Sequence, residues 1–286
     1  MTDFGGALKQ AEVYDFAVLG VPYDEKSSFR KGPAKGPRAI REASTSACIN
    51  AWTESGVNLE TDAVMVDLGD VDTNGGHDAV SARITEQTAR IAAKGVVPIV
   101  LGGDHSISYP VLKGIAKSYP LIDVLHFDAH PDLYDELNGD PYSHACPFAR
   151  VLDDGLAGKL VQVGIRAATG EHRAKAKRFG VRMIAMRDIE EAAALEFSRP
   201  LFISFDIDAL DPAFAPGVSH HEPGGLSTRE ALSILQNLRA NIIGIDVVEV
   251  NPDRDPQGIT AAAAVKIIME TAGKIVAERI EGERNR

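Results

Sequence analysis

The run Ile122-Asp123-Val124-Leu125-His126-Phe127, followed at once by Asp128-Ala129-His130-Pro131-Asp132, sets the fold class of this 286-residue chain. The first part is largely apolar and of strand length, and the second is polar. A continuous apolar run suits a strand covered on both faces, as in a parallel sheet sandwiched between helices. Six further runs are of the same type: Phe16–Val21, Val64–Leu68, Val96–Leu101, Leu160–Ile165, Leu201–Phe205 and Ile242–Val248. Helix-like stretches alternate with them at Val80–Lys94, Ser106–Lys117, Glu171–Phe179, Thr228–Arg239 and Ala261–Glu278. Ser227 and Glu230 are spaced as a capping box at the start of the fourth. The alternation predicts a doubly wound α/β fold, whose ligands bind beyond the carboxyl ends of the strands. With no linker and no repeat, residues 1–286 are expected to form a single domain; only the tail Glu281–Arg286 reads as frayed.

Three strand ends carry unusual chemistry: Gly102-Gly103-Asp104-His105-Ser106, Asp128-Ala129-His130-Pro131-Asp132 and Ser204-Phe205-Asp206-Ile207-Asp208-Ala209-Leu210-Asp211-Pro212. In extended chain, residues two apart point to the same side. Asp128, His130 and Asp132 can therefore converge, as can Asp206 and Asp208, with His105 as the sixth group. Two imidazoles and four carboxylates are too many for one tetrahedral zinc, but they suit two divalent ions sharing carboxylate bridges. Nitrogen and oxygen donors without thiolate favour Mn2+ by softness, with Fe, Co and Ni as substitutes. Asp104 and Asp211 are read as structural turn or cap residues, and Gly224-Gly225 as a tight turn.

Composition narrows the partners. Thirty basic and 41 acidic side chains give a net charge of −11, which disfavours nucleic acid and suits a cationic small molecule. No apolar stretch is long enough to span a membrane, and Met1–Gln10 lacks the pattern of a secretory signal. Cys48 and Cys146 form no paired motif. These features together lead to the expectation of a cytoplasmic protein.

The three clusters resemble the signatures of the ureohydrolases, the arginases and agmatinases. The likeness extends from Gly20-Val21-Pro22-Tyr23 and Gly36-Pro37-Arg38-Ala39-Ile40-Arg41 to Asp246-Val247-Val248-Glu249-Val250-Asn251-Pro252. It implies a three-layer α/β/α fold, a homo-oligomer (trimer or hexamer) and two Mn2+ per chain. His105, Asp128, Asp132 and Asp206 would hold one ion and His130, Asp128, Asp206 and Asp208 the other. The pair would lower the pKa of a shared water. Asp132 would act as base and relay, His144 as proton shuttle and Glu249 as partner of the substrate guanidinium. Asn138 and Ser143 would bind the far end of the substrate.

Motif details such as Lys26-Ser27-Ser28-Phe29, Tyr142-Ser143-His144-Ala145-Cys146 and Val218-Ser219-His220-His221 are similar to plant-type arginases, which makes L-arginine the expected substrate. Ala167-Ala168-Thr169 stands where an acidic residue would bind an α-amino group, so agmatine and other guanidino compounds stay open. A zinc deacetylase of related fold and a non-catalytic relative are the competing classes. Retention of His105, Asp208 and His144 argues against both.

Overall fold

The computed structural model describes residues 3–5 and 11–284. Most of the stretch Met1–Gln10 and the last two residues of the polar tail lie outside them. Strand β1 (Phe16–Gly20) leads to helix α1 (Gly36–Ser44), β2 (Met65–Asp70), α2 (His77–Ala92), β3 (Val97–Leu101) and α3 (Ser108–Ile115). β4 (Ile122–Phe127), α4 (Pro147–Asp153), β5 (Ala157–Ile165), α5 (Gly170–Phe179) and β6 (Arg182–Ala185) follow. β7 (Leu201–Asp206), α6 (Thr228–Asn237), β8 (Ile242–Val248) and α7 (Ile259–Arg284) complete the chain. The strands form one sheet in the order β2-β1-β3-β8-β7-β4-β5-β6, with parallel pairing throughout.

The continuous apolar runs are explained by a core on each face of the sheet. Phe16 and Val18 of β1, with Leu125 and Phe127 of β4, pack with Ile40 of α1 and the apolar side of α6 and α7. Their chain neighbours Ala17, Leu19 and Val124 face the other way, against α2, α3 and α4. The strand period of two thus sends alternate side chains into two separate cores, giving the expected three layers. The capping box is present: Ser227 Oγ accepts from Glu230 N, and Glu230 Oε2 from Ser227 N.

Three elements were not among the expected ones. β6 is a four-residue edge strand that begins with an exposed arginine, and its apolar run, Met183-Ile184-Ala185, is only three residues long. α4 is short and starts with proline, and α1 carries a buried charge on its inner face. That charge is Arg41. Its Nε and Nη2 donate to both oxygens of Asp67 at 2.7 and 2.9 Å, and its Nη1 to Asp70 Oδ1 at 2.6 Å. Gly20 leaves room for this pairing, since a Cβ there would lie 1.8 Å from Asp70 Oδ1.

The Arg41 and Asp67 side chains are both 1% exposed. Removing one partner strands a buried charge, which costs about 3–5 kcal/mol. Arg41→Met is expected to lower unfolding free energy by that amount in urea titrations. A loss under about 1 kcal/mol would show that the pair is solvated or replaceable.

Candidate active site

Four neighbouring strands at the centre of the sheet, β3, β8, β7 and β4, deliver the polar groups at their carboxyl ends. His105 follows β3, Glu249 follows β8, Asp206 ends β7 with Asp208 just beyond, and Asp128, His130 and Asp132 follow β4. Gly103 allows the close turn after β3, because a Cβ on it would lie 1.8 Å from the Tyr23 carbonyl oxygen. Asp104 then caps the short helical turn that carries His105: its Oδ1 accepts from Ser106 N and its Oδ2 from Lys26 N. Asp211 accepts from Gly224 N and Gly225 N, which closes the glycine turn. Both aspartates are structural, as expected.

The six expected ligands come together. His105 Nδ1 lies 3.2 Å from Asp128 Oδ2, 3.1 Å from Asp132 Oδ2 and 3.2 Å from Asp206 Oδ2. His130 Nδ1 lies 3.1 Å from Asp208 Oδ2 and 3.4 Å from Asp128 Oδ1. Asp128 therefore offers one oxygen to each group. Burial lowers the pKa of His130, but Asp208 and Asp128 outweigh it and hold the imidazole up to about 12. Burial and the charge of Asp128 push the Asp208 carboxyl up to about 6. The His130 shift reports a negative potential that attracts protons or cations, and the Asp208 shift reports burial first and the charge of Asp128 second.

The hydrogen bonds around His105 test whether a cation fits. Ser204 Oγ donates to Asp246 Oδ1 at 2.6 Å and so accepts from His105 Nε2, 3.0 Å away. With the proton on Nε2, the neutral ring turns the Nδ1 lone pair toward three carboxylate oxygens. Nδ1 is buried and has no hydrogen-bond partner among the described residues. Four electron-pair donors aimed at one point repel one another unless a positive ion lies between them. The donor set therefore fits a divalent metal.

His126 was not among the sequence candidates, yet it is part of this arrangement. Gln162 Nε2 donates to Pro131 O at 2.6 Å and lies 3.0 Å from His126 Nδ1. Nδ1 must then accept, so Nε2 carries the proton and donates to Asp128 Oδ2 at 2.8 Å. His126 thus positions Asp128, and its own lone pair is already taken by Gln162. The signal was its spacing, two residues before Asp128 on the same side of β4.

A cavity of about 170 Å³ opens above the cluster, lined in part by Asp132, His144, Glu249, His172 and His220. His144 is held on both sides, its Nδ1 2.9 Å from Glu249 Oε1 and its Nε2 2.8 Å from Ser28 Oγ. Glu249 Oε1 also accepts from His105 N, while Oε2 is buried without a partner among the described residues. Asn138 and Ser143 are placed differently. Asn138 is exposed in the turn between Leu137 and Asp140, with φ of 55°, and does not line the cavity. Ser143 is buried, with its hydroxyl on Ala145 N, and is not a lining residue either. A larger hollow of about 420 Å³, lined by residues such as Phe4, Ile49 and Met269, contains no histidine or aspartate.

Residues 14–273 match the model of the arginase family. Arginase 1, mitochondrial, of Arabidopsis thaliana is 46% identical over 91% of this chain and 80% of its own length. The human guanidino acid hydrolase, mitochondrial, is 38% identical over 91% of this chain and 78% of its own. The solved arginase from Medicago truncatula superposes with a TM-score of 0.87 at 43% identity, covering 91% of this chain and 87% of that one. The mitochondrial names of the plant relatives overturn the expectation of a cytoplasmic location. That expectation rested on cysteine usage and on the absence of a secretory pattern, neither of which reads an organelle address. Among the described residues no helix is long and apolar enough to cross a membrane. With its family model, its relatives and its fold in agreement, the chain belongs to the arginase family.

Proposed function

We propose that the protein is a manganese-dependent ureohydrolase that cleaves L-arginine to L-ornithine and urea. The observation that carries this reading is the convergence of His105, Asp128, Asp132 and Asp206 beside His130 and Asp208, under a cavity walled by His144 and Glu249. Support for arginine over agmatine comes from the plant arginases, 42–46% identical, against 36% for the agmatinase of Gallus gallus. In this reading one ion is held by His105, Asp128, Asp132 and Asp206, the other by His130, Asp128, Asp206 and Asp208. When bound, the ions would offset the carboxylate charge and acidify a water for attack near neutral pH. The trimer or hexamer implied by the resemblance belongs to the same reading. A solution mass of one 30.6 kDa chain would remove it.

The chain's own groups supply orientation and proton transfer. Glu249 Oε1 is committed to His144 and the His105 amide, which leaves Oε2 to receive a guanidinium N–H and fix the reacting carbon. Hydrolysis places oxygen on that carbon and a proton on the departing amine. Asp132 takes the proton from the attacking water, and His144 returns one to the nitrogen. Burial lowers the His144 pKa, but the hydrogen bond and charge of Glu249, helped by Asp104 and Asp132, raise it to about 9. His144 is therefore protonated at neutral pH and able to donate.

A urea-release panel in Mn-containing buffer is expected to rank L-arginine above agmatine and shorter guanidino acids; the reverse order would overturn the substrate. Asp128→Asn removes a shared charge and should reduce urea release to background with fewer than two Mn bound. His144→Asn should lower kcat by about 10²- to 10⁴-fold with metal content intact. In NMR titrations, His144 should lose its proton near pH 9, and Glu249→Gln should move that midpoint toward 6.5. Because the folded value is raised, the pair stabilises the fold fully below about 6.5 and ceases to do so as pH rises through about 9. An unchanged midpoint in Glu249→Gln would exclude Glu249 as the cause.

A further inference from the structure

We propose that His172 reads the far end of the substrate, its Nε2–H donating to a carboxylate oxygen of the bound guanidino compound. This rests on the ureohydrolase reading and deepens it by naming the residue that would recognise the acid group of the substrate.

His172 is the third residue of α5, the helix that follows β5 and the loop Arg166–Thr169. Thr169 Oγ1 accepts from His172 N at 3.3 Å, and Thr169 N donates to His172 Nδ1 at 3.2 Å. A backbone N–H can only donate, so Nδ1 must be the unprotonated nitrogen and the neutral ring carries its hydrogen on Nε2. Nε2 is buried and has no partner among the described residues. His172 is 3% exposed, yet it is one of the walls of the cavity that holds Asp132, His144 and Glu249. Its ring packs against Tyr134, another lining residue, with centroids 4.0 Å apart.

A buried donor without an acceptor is costly, and a residue serving only as a helix cap has no need of one. The cap explains Nδ1 and leaves Nε2 unaccounted for. The loop that supports the ring is firmly tied: Arg166 donates to the carbonyl oxygens of Asp208, Glu222 and Gly164, linking β5 to the third carboxylate cluster. The donor is thus held in place before any ligand arrives. Burial lowers the pKa of His172, which agrees with a neutral ring.

A neutral N–H selects for a lone pair. The α-carboxylate of L-arginine offers one, whereas the ammonium of agmatine offers none. With Asn138 and Ser143 away from the cavity wall, His172 Nε2 is a buried cavity-wall donor without a partner among the described residues.

The test uses the full Mn-loaded protein and two variants. His172→Phe keeps the ring packed on Tyr134 and loses Nε2–H. His172→Asn keeps an acceptor for the Thr169 amide and has no atom at the Nε2 position. Both should raise KM for L-arginine about tenfold or more, the effect of one hydrogen bond to a charged group, with kcat within about twofold. The parameters for agmatine should not move. Melting temperatures report any loss of the helix cap separately, and the Asn variant serves where the Phe variant fails to fold. A parallel change for both compounds, or no change for either, overturns the proposal. If the parent protein releases no urea from L-arginine, the arginine reading fails by itself. 4-Guanidinobutanoate against agmatine must then show the same split, and absence of activity on any carboxylate-bearing compound also ends the proposal.

Discussion

Carboxylates brought together out of contact with water repel one another, and that repulsion is the constraint around which this molecule is arranged. Asp128, Asp206 and Asp208 are almost wholly buried, and the oxygens of Asp128, Asp132 and Asp206 lie within 3.1–3.2 Å of one imidazole nitrogen. Such a cluster is stable only with compensating positive charge and a full set of hydrogen bonds around its rim. The rim is supplied by backbone amides and by neutral residues. Asp128 Oδ1 accepts from His130 N, Asp206 Oδ1 from Asp208 N, and Asp208 Oδ1 from Ala129 N. These bonds tie each carboxylate to its own or the neighbouring loop and join the ends of β4 and β7 into one unit.

The parallel sheet makes this possible. Its two buried faces leave the strand ends as the place where polar side chains can gather, and pairing of β3, β8, β7 and β4 brings four such ends side by side. Behind the candidate ligands run two hydrogen-bonded chains, from His105 through Ser204 to Asp246 and from Asp128 through His126 to Gln162. All six residues are buried. They fix ring orientation and proton position, so the lone pairs point where charge is needed. Strand register sets where each loop begins, and the turns directly after the strands carry the groups into place.

Much of this was legible in the sequence because the signals were periodic or clustered. All seven apolar runs became strands, and five of the six expected ligands stood two residues from another at strand ends, with His105 alone after β3. What escaped notice had local cues that pointed elsewhere. Arg41 stands in a polar segment and gives no hint that its charge faces inward to Asp67. β6 is too short for its apolar run to stand out, and it takes its place by pairing with β5. His172 reads as an ordinary residue of a polar helix. Only the folded chain shows one of its nitrogens used by the cap and the other left over. Asn138, chosen for its loop position, sits in a turn with Gly139 where both residues have positive φ, a common role for an Asn-Gly pair.

Glu249 shows how the backbone itself is bent to serve the site. Its φ is 63°, and Asp132 has φ of 51°; left-handed conformations cost a residue with a side chain about 1–2 kcal/mol each. The reason at Glu249 lies in the strand. Val247 of β8 packs in the core beneath α7 and Val248 in the opposite one. Regular alternation would return Val250 to the side of Val248, yet it lies with Val247. The left-handed residue reverses the alternation, so both valines stay buried while the carboxylate between them turns into the cavity. Its amide donates to the Gly103 carbonyl at 2.8 Å, which ties the bend to the glycine pair before His105. Replacing Glu249 by glycine would relax the backbone but remove the acceptor. The strain is retained because the carboxylate has to leave a strand whose last two residues, Val247 and Val248, are buried in opposite cores.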